Sequence, residues 1–387
     1  MSPSWSDLTN GVTELASEWR TQRAERQARR QLDQSDFARL ADTGFLLVGV
    51  PEAMGGLWRS LPESTRAICG VLRTLAAGDP SVALVSAMHP AVLGFWLSPP
   101  DPDRPEWTEQ RNAVFASAAE GAQWGTITSE PGSGGDILKT KTQAAVDDSV
   151  DSVLPGTTYR VTGDKHFGSG SGISSFMITT AVAAGEAAPA MFALDVRTRP
   201  WEHFDGMELI AEWDGMGMAA TQSHAMRLAD CPATRVAWDG PLEEVTLAAA
   251  PLVSSLFTSV ILGVFDEAIA TAKQQLAPKA QSMRPYEQVE WSRAEMDYWL
   301  AVQALEGALR AVEAGDHLKA IHASLRAKEA VAELAESALS RLARVVGGGT
   351  FSRRSPFASW YEDVRALGFL RPPWGLAYDS LFLTSFG

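Results

Sequence analysis

The chain is poor in cysteine. Only Cys69 and Cys231 occur among 387 residues, which excludes a disulfide framework or a cysteine zinc cluster and suits a reducing cytoplasm. It is also short of positive charge: 33 Lys and Arg stand against 47 Asp and Glu, a formal balance of −14. That balance opposes the phosphate-neutralising surface nucleic acid requires, so no nucleic-acid partner is expected. The first residues, Met1-Ser2-Pro3-Ser4-Trp5-Ser6-Asp7, hold neither a basic start nor a continuous apolar run, so no secretory signal is expected. No uncharged apolar stretch is expected to reach the roughly 18 to 20 residues of a membrane span, and no membrane partner is expected. His317 and His322 are five apart, a spacing that does not put two metal ligands on one helix face, and no metal site is expected.

What is present supports ordinary buried cores: 45% of residues are hydrophobic and 21% charged, which argues against disorder. The length suits two or three domains. Leu8, Val12, Leu15 and Trp19 recur at three or four, predicting one amphipathic helix from about Leu8 to Leu32. Further helices are expected from Ser35 to Gly44 and from Glu63 to Ala77, and over Val82 to Leu97 with an interruption at Pro90. After Ala122 the texture changes to short alternating runs. Tyr159–Lys165, Phe176–Ala181, Met191–Val196 and His224–Leu228 read as strands. Helical period then returns over 251–277, 287–313 and 316–345, with a fourth helix after Pro356, the pattern of an antiparallel four-helix bundle. The expected fold class is mixed α and β, mainly α: an N-terminal helical domain over 1–120, a middle β barrel over 121–242, and a C-terminal bundle over 243–387.

Two segments carry chemistry. Trp124-Gly125-Thr126-Ile127-Thr128-Ser129-Glu130-Pro131-Gly132-Ser133-Gly134-Gly135-Asp136 offers hydroxyls and exposed backbone donors that can approach a flat polar ring or a phosphate. Gly163-Asp164-Lys165-His166-Phe167-Gly168-Ser169 follows on a strand-to-turn junction. Together they resemble the acyl-CoA dehydrogenase family, with its Thr/Ser-Glu-Pro-Gly-Ser-Gly-x-Asp loop and Gly-Glu-Lys-x-aromatic-x-Thr/Ser element. Val50-Pro51-Glu52-Ala53-Met54-Gly55-Gly56, Trp213-Asp214-Gly215-Met216-Gly217-Met218 with Thr221 and Ser223, Gly347-Gly348-Gly349 and Tyr361-Glu362-Asp363-Val364-Arg365 are similar to further family motifs in the same order. Ala219 or Ala220 stands where the family commonly has arginine.

The resemblance implies a flavoenzyme holding FAD, or alternatively FMN, and a homodimer or homotetramer. It implies flavin contacts from Trp124, Thr126, Thr128, Phe167 and Ser169, and dinucleotide contacts from Gly347, Gly348 and Arg284, the last being the nearest candidate for the family's pyrophosphate arginine. Ser133 and Trp374 are the implied substrate-side residues.

The departures concern the reaction. The family's dehydrogenases remove an α-proton with a glutamate. Arg371 stands at one of its two positions, and a guanidinium stays protonated. No acid occupies the other, Phe257–Gly263, which leaves Glu267 a turn further on as a fallback base that otherwise reads as a solvated helix residue. His89 and His166 are the histidines placed to line a site, although a lone histidine is more often structural. Two enzymatic readings remain open. One is an oxidoreductase working at flavin N5 or C4a on an acyl-CoA or similar small organic substrate. The other is a monooxygenase of the same family, which needs no such base and takes reduced flavin from a separate reductase. A non-catalytic binding protein on the same fold is a third.

Overall fold

The structure, a computed structural model, describes residues 4–197, 203–204 and 206–386. Helix α1 (Trp5–Thr21) starts where the Ser4 hydroxyl accepts the Asp7 N–H, and it buries Leu8, Val12, Leu15 and Trp19 on one stripe. Burying each such side chain contributes roughly 1.5–3 kcal/mol. The helix expected to run on to Leu32 instead breaks at Gln22 and resumes as α2 (Arg23–Ala28). The turn lets Arg26 bury its guanidinium against Asp36 at 2.6 Å and Asp79 at 2.7 Å. Helices α3 (Gln34–Asp42), α4 (Leu61–Gly78), α5 (Pro80–Leu97) and α6 (Pro105–Ala119) follow.

Helix α5 runs through Pro90 without a break. The proline removes one N–H, but burial along nearly the whole helix outweighs that loss. The same helix corrects the sequence expectation on apolar runs: 80–97 contains no Asp, Glu, Lys or Arg, and 242–282 also holds an apolar window long enough to cross a membrane. Burial accounts for both, since 83% and 78% of the two windows are covered by the rest of the chain. A helix packed on all sides has no need of a polar face.

Eight strands come next: β1 (Trp124–Thr126), β2 (Gln143–Val146), β3 (Thr158–Gly168), β4 (Phe176–Ala183), β5 (Pro189–Asp195), β6 (His203–Phe204), β7 (Met207–Ala211) and β8 (His224–Arg235). The four expected strands correspond to β3, β4, β5 and β8. Strand β4 takes β1 and β2 in parallel along one edge and β5 antiparallel along the other. β2 pairs β3, β3 pairs β8, and β8 returns to β5, so the pairings close on themselves as a small barrel. Closure leaves no bare edge among those five strands. Inside it lie Tyr159, Val161, Met177, Phe192, Leu194, Met226 and Leu228.

Helices α7 (Leu242–Leu276), α8 (Pro285–Glu313) and α9 (His317–Val346) form the long bundle, and α7 also packs on α4 and α5. The expected fourth helix is shorter than its neighbours. It ends at α10 (Phe357–Arg365), and after a 3₁₀ turn and Arg371 the chain continues as α11 (Trp374–Phe386). One core joins α1, α4, α5 and α7 to α8–α10.

Candidate active site

The loop after β1 is pinned from below by a buried ion pair. Lys165 lies on the inward face of β3, fully covered, and its Nζ donates to Glu130 Oε1 at 2.6 Å and to the Thr180 carbonyl at 2.7 Å. Burial opposes ionisation of Glu130. Donation from Lys165, the Thr140 hydroxyl, the Lys141 N–H and the Thr142 hydroxyl outweighs it and holds the carboxyl down at about 2. Burial likewise draws Lys165 down to about 8, resisted by Glu130. In the sequence both residues stand inside the two motifs without a role of their own. The signal was available in the period of two along β3, which puts Lys165 on the same face as Tyr159 and Val161.

Above this anchor the chain turns at Phe167 in the left-handed region, φ 58°, an uncommon conformation for a bulky residue. Phe167 remains 58% exposed, with Trp213 edge-on at 6.1 Å. Strain of this kind concentrates at ligand sites. Two residues on, Ser169 is buried and its hydroxyl meets that of Ser223 at 2.8 Å, which meets Thr221 at 2.8 Å, which donates to the Met218 carbonyl. Trp213 is itself held through its backbone N–H on His224 Nδ1 at 2.9 Å and its indole N–H on the Met218 carbonyl at 2.9 Å. The sequence offers Trp213 only as the first residue of a motif and His224 only as the first residue of a strand.

From the far end of the chain, Arg371 reaches this loop. Its guanidinium donates to Thr128 Oγ1 at 2.6 Å, Ser129 Oγ at 2.8 Å and the Gly135 carbonyl at 2.9 Å. Gly135, at φ 83°, is required here because a Cβ would lie 2.7 Å from Pro373. Burial lowers Arg371 to about 10, and Asp136 partly offsets this through its charge. No carboxylate among the described residues hydrogen-bonds it.

The structure thus brings Thr128, Phe167, Ser169 and Arg371 onto one loop system. Thr126, half-buried on β1, makes no side-chain hydrogen bond among the described residues. Half-buried His166 bonds Ser129 through its backbone, and its ring meets Phe167 at 6.1 Å. Ser133 spends its hydroxyl on its own turn, donating to the Glu130 carbonyl at 3.0 Å. Trp374, 58% exposed, lies against Phe369 just beyond Arg371.

Other candidates lie elsewhere. Trp124 points into the core, stacked on Phe176 at 4.6 Å with its indole N–H on Ser117, so its side chain is packing and not a cofactor contact. His89 is fully buried, its Nε2 facing the Leu46 carbonyl at 2.9 Å and its Nδ1 accepting the Trp124 N–H at 3.1 Å. Burial lowers it to about 4, so it is a neutral cross-link with no proton to offer. Glu267 is no solvated residue: it accepts from Arg20 Nε at 2.9 Å and from Arg23, clamping α7 to α1 and α2. Two guanidiniums on its oxygens remove it as a base. Arg284 is exposed at the start of α8, with Gly347 and Gly348 past the end of α9. Among the described residues no hydrogen bond or ring contact links these three to the 124–136 loop. Nearby, Arg341 and Arg344 both pair with Glu290.

An exposed strained aromatic, a buried hydroxyl row and a guanidinium without a carboxylate fit a planar ring with hydrogen-bonding edges, as the flavin of the resemblance is. No protein-family model matches the chain. It is 27% identical over 285 residues to a dibenzothiophene monooxygenase of Mycolicibacterium goodii, covering 70% of this chain and 63% of that protein, so the match spans less than two thirds of that relative. It is 26% identical over 358 residues to the amino sugar nitrososynthase DnmZ of Streptomyces peucetius, covering 87% and 82%. The FMN-bound crystal structure of TdsC from Paenibacillus sp. A11-2 superposes with a TM-score of 0.79 over 98% of this chain and 97% of that one, at 18% identity. With its helix, barrel and bundle order, the chain has the acyl-CoA dehydrogenase-like fold of that structure, and in sequence it is similar to a monooxygenase and a nitrososynthase.

Proposed function

We propose that this protein is a flavin-dependent monooxygenase that takes reduced FMN from a separate reductase and oxidises a heteroatom of a small organic substrate. The observation that carries the reading is Arg371, a cation seated on Thr128 and Ser129 where a dehydrogenase would need a carboxylate. The two carboxylates nearest to that role are already held by cations, Glu130 by Lys165 and Glu267 by Arg20 and Arg23. Oxygen transfer needs no α-proton base on the protein. The relatives' names favour sulfur or nitrogen as the oxidised atom, and a relative's bound FMN favours the mononucleotide.

The flavin, when bound, supplies the electrons and activates the oxygen. The chain's own residues do the positioning. Phe167 and Trp213 offer faces and edges for a flat ring, the Ser169–Ser223–Thr221 row offers hydroxyls at its polar margin, and Arg371 fixes the 128–135 loop against Pro373. A homo-oligomer is part of the proposal. Trp374, Tyr378 and Phe382 recur every four residues along α11, and Val289, Met296 and Leu300 line α8, all exposed. The test is a pair of assays on flavin-loaded protein. Oxygen uptake that depends on a reductase and NAD(P)H is the expected result, whereas anaerobic bleaching of bound flavin by acyl-CoA thioesters would restore the dehydrogenase reading.

A further inference from the structure

Resting on the reading above, we infer that Arg371 is the receptor for the negatively charged pyrimidine edge of reduced flavin, so that the protein binds the reduced cofactor more tightly than the oxidised one. The argument starts from hydrogen-bond capacity. A guanidinium carries five N–H donors. Three are taken, by Thr128 Oγ1, Ser129 Oγ and the Gly135 carbonyl, all neutral acceptors. The Nε–H and one Nη1–H have no partner among the described residues. The buried Arg26 is handled differently, with carboxylates of Asp36 and Asp79 on three of its nitrogens.

A cation left without a counter-charge is costly unless an anion completes it. Asp136 influences Arg371 only through space. The hydroxyls that hold it belong to the loop that carries the cofactor chemistry, and its position is rigid: Pro373 wedges against Gly135 on one side and the buried Glu130–Lys165 pair ties down the loop on the other. Oxidised and reduced FMN share the same phosphate and differ in the charge of the ring. A fixed cation at the ring edge therefore discriminates between the two redox forms, as a protein that borrows reduced flavin and releases the oxidised form requires.

The experiment measures dissociation constants for oxidised FMN and for anaerobically reduced FMN with the unmodified protein, R371Q and R371K. The unmodified protein should favour reduced FMN by about 10- to 100-fold, the worth of one charge-assisted hydrogen bond. R371Q should weaken reduced FMN binding by about 10- to 100-fold more than oxidised FMN binding, bringing that ratio close to one, and R371K should keep most of the preference. A second measurement needs no variant: the absorbance of reduced FMN on the unmodified protein should remain that of the anionic form at mildly acid pH. An unchanged ratio in R371Q, or a neutral spectrum, overturns the assignment of Arg371 and makes an anionic substrate group its partner. Failure of the unmodified protein to bind either form of FMN would overturn the flavin reading itself.

Discussion

Replacing Glu130 by Gln tests whether the buried ion pair under the site loop holds that loop. In the folded protein the Glu130 carboxyl is held at about 2, against an ordinary 4.5. That difference corresponds to about 3 kcal/mol of stability at neutral pH. The value agrees with the roughly 3–5 kcal/mol lost when one member of a buried pair is removed and the other is left alone in a dry site. Here the survivor would be Lys165, fully covered, with only neutral partners among the described residues: the Thr180 carbonyl and hydroxyl and the Thr140 hydroxyl. Because the folded value is depressed, the contribution is complete above about pH 4.5 and is lost as pH falls towards 2. Urea unfolding of the wild type, E130Q, K165M and the double variant gives the coupling directly. E130Q should cost about 3 kcal/mol, the double variant less than the two singles together, and the acid slope between pH 4.5 and 2 should flatten in both Glu130 variants. A cost below about 1 kcal/mol, or additive singles, would refute the reasoning.

Other outcomes follow from the same geometry. His89 is held neutral at about 4 by burial, while the unfolded chain takes up its proton near 6.5, so stability should fall as pH drops between those values, by up to about 3 kcal/mol. H89Q should lack that slope in thermal melts, and retention of the full slope would reject the assignment. F167G should relieve a left-handed side chain worth roughly 1–2 kcal/mol while weakening FMN binding at least about tenfold, and a melt with a flavin titration reads both. E267Q should lower stability by about 1–2 kcal/mol through Arg20 and Arg23 and leave turnover within about twofold. A loss of turnover of two orders of magnitude would reinstate Glu267 as the base.

What could be read in the sequence was local. The stripe Leu8, Val12, Leu15 and Trp19 marks the buried face of α1, the alternation along 158–168 marks β3, and the spacing of Phe167 and Ser169 after Lys165 marks the turn on which the site is built. What could not be read depends on partners brought from elsewhere. Nothing around His89 announces that Leu46 and Trp124 take both ring nitrogens, and nothing around Glu267 announces two arginines from the first helices. Arg371 could be seen as an absent carboxylate, but its seat on Thr128 and Ser129, more than two hundred residues earlier, is a product of the fold. Ala219 and Ala220 make the point most sharply. They stand where the family resemblance expects an arginine, and they line a cavity of about 80 Å³ together with Asp79, Asp363 and Arg26. Arg26, arriving from α2, gives Asp79 its guanidinium at 2.7 Å. Asp363 receives none, only the Met218 N–H at 2.7 Å, and burial pushes its carboxyl up to about 7. A cation missing from one motif is thus replaced for one of its two neighbouring carboxylates and not for the other, a distinction carried by the turn at Gln22 that lets Arg26 reach inward.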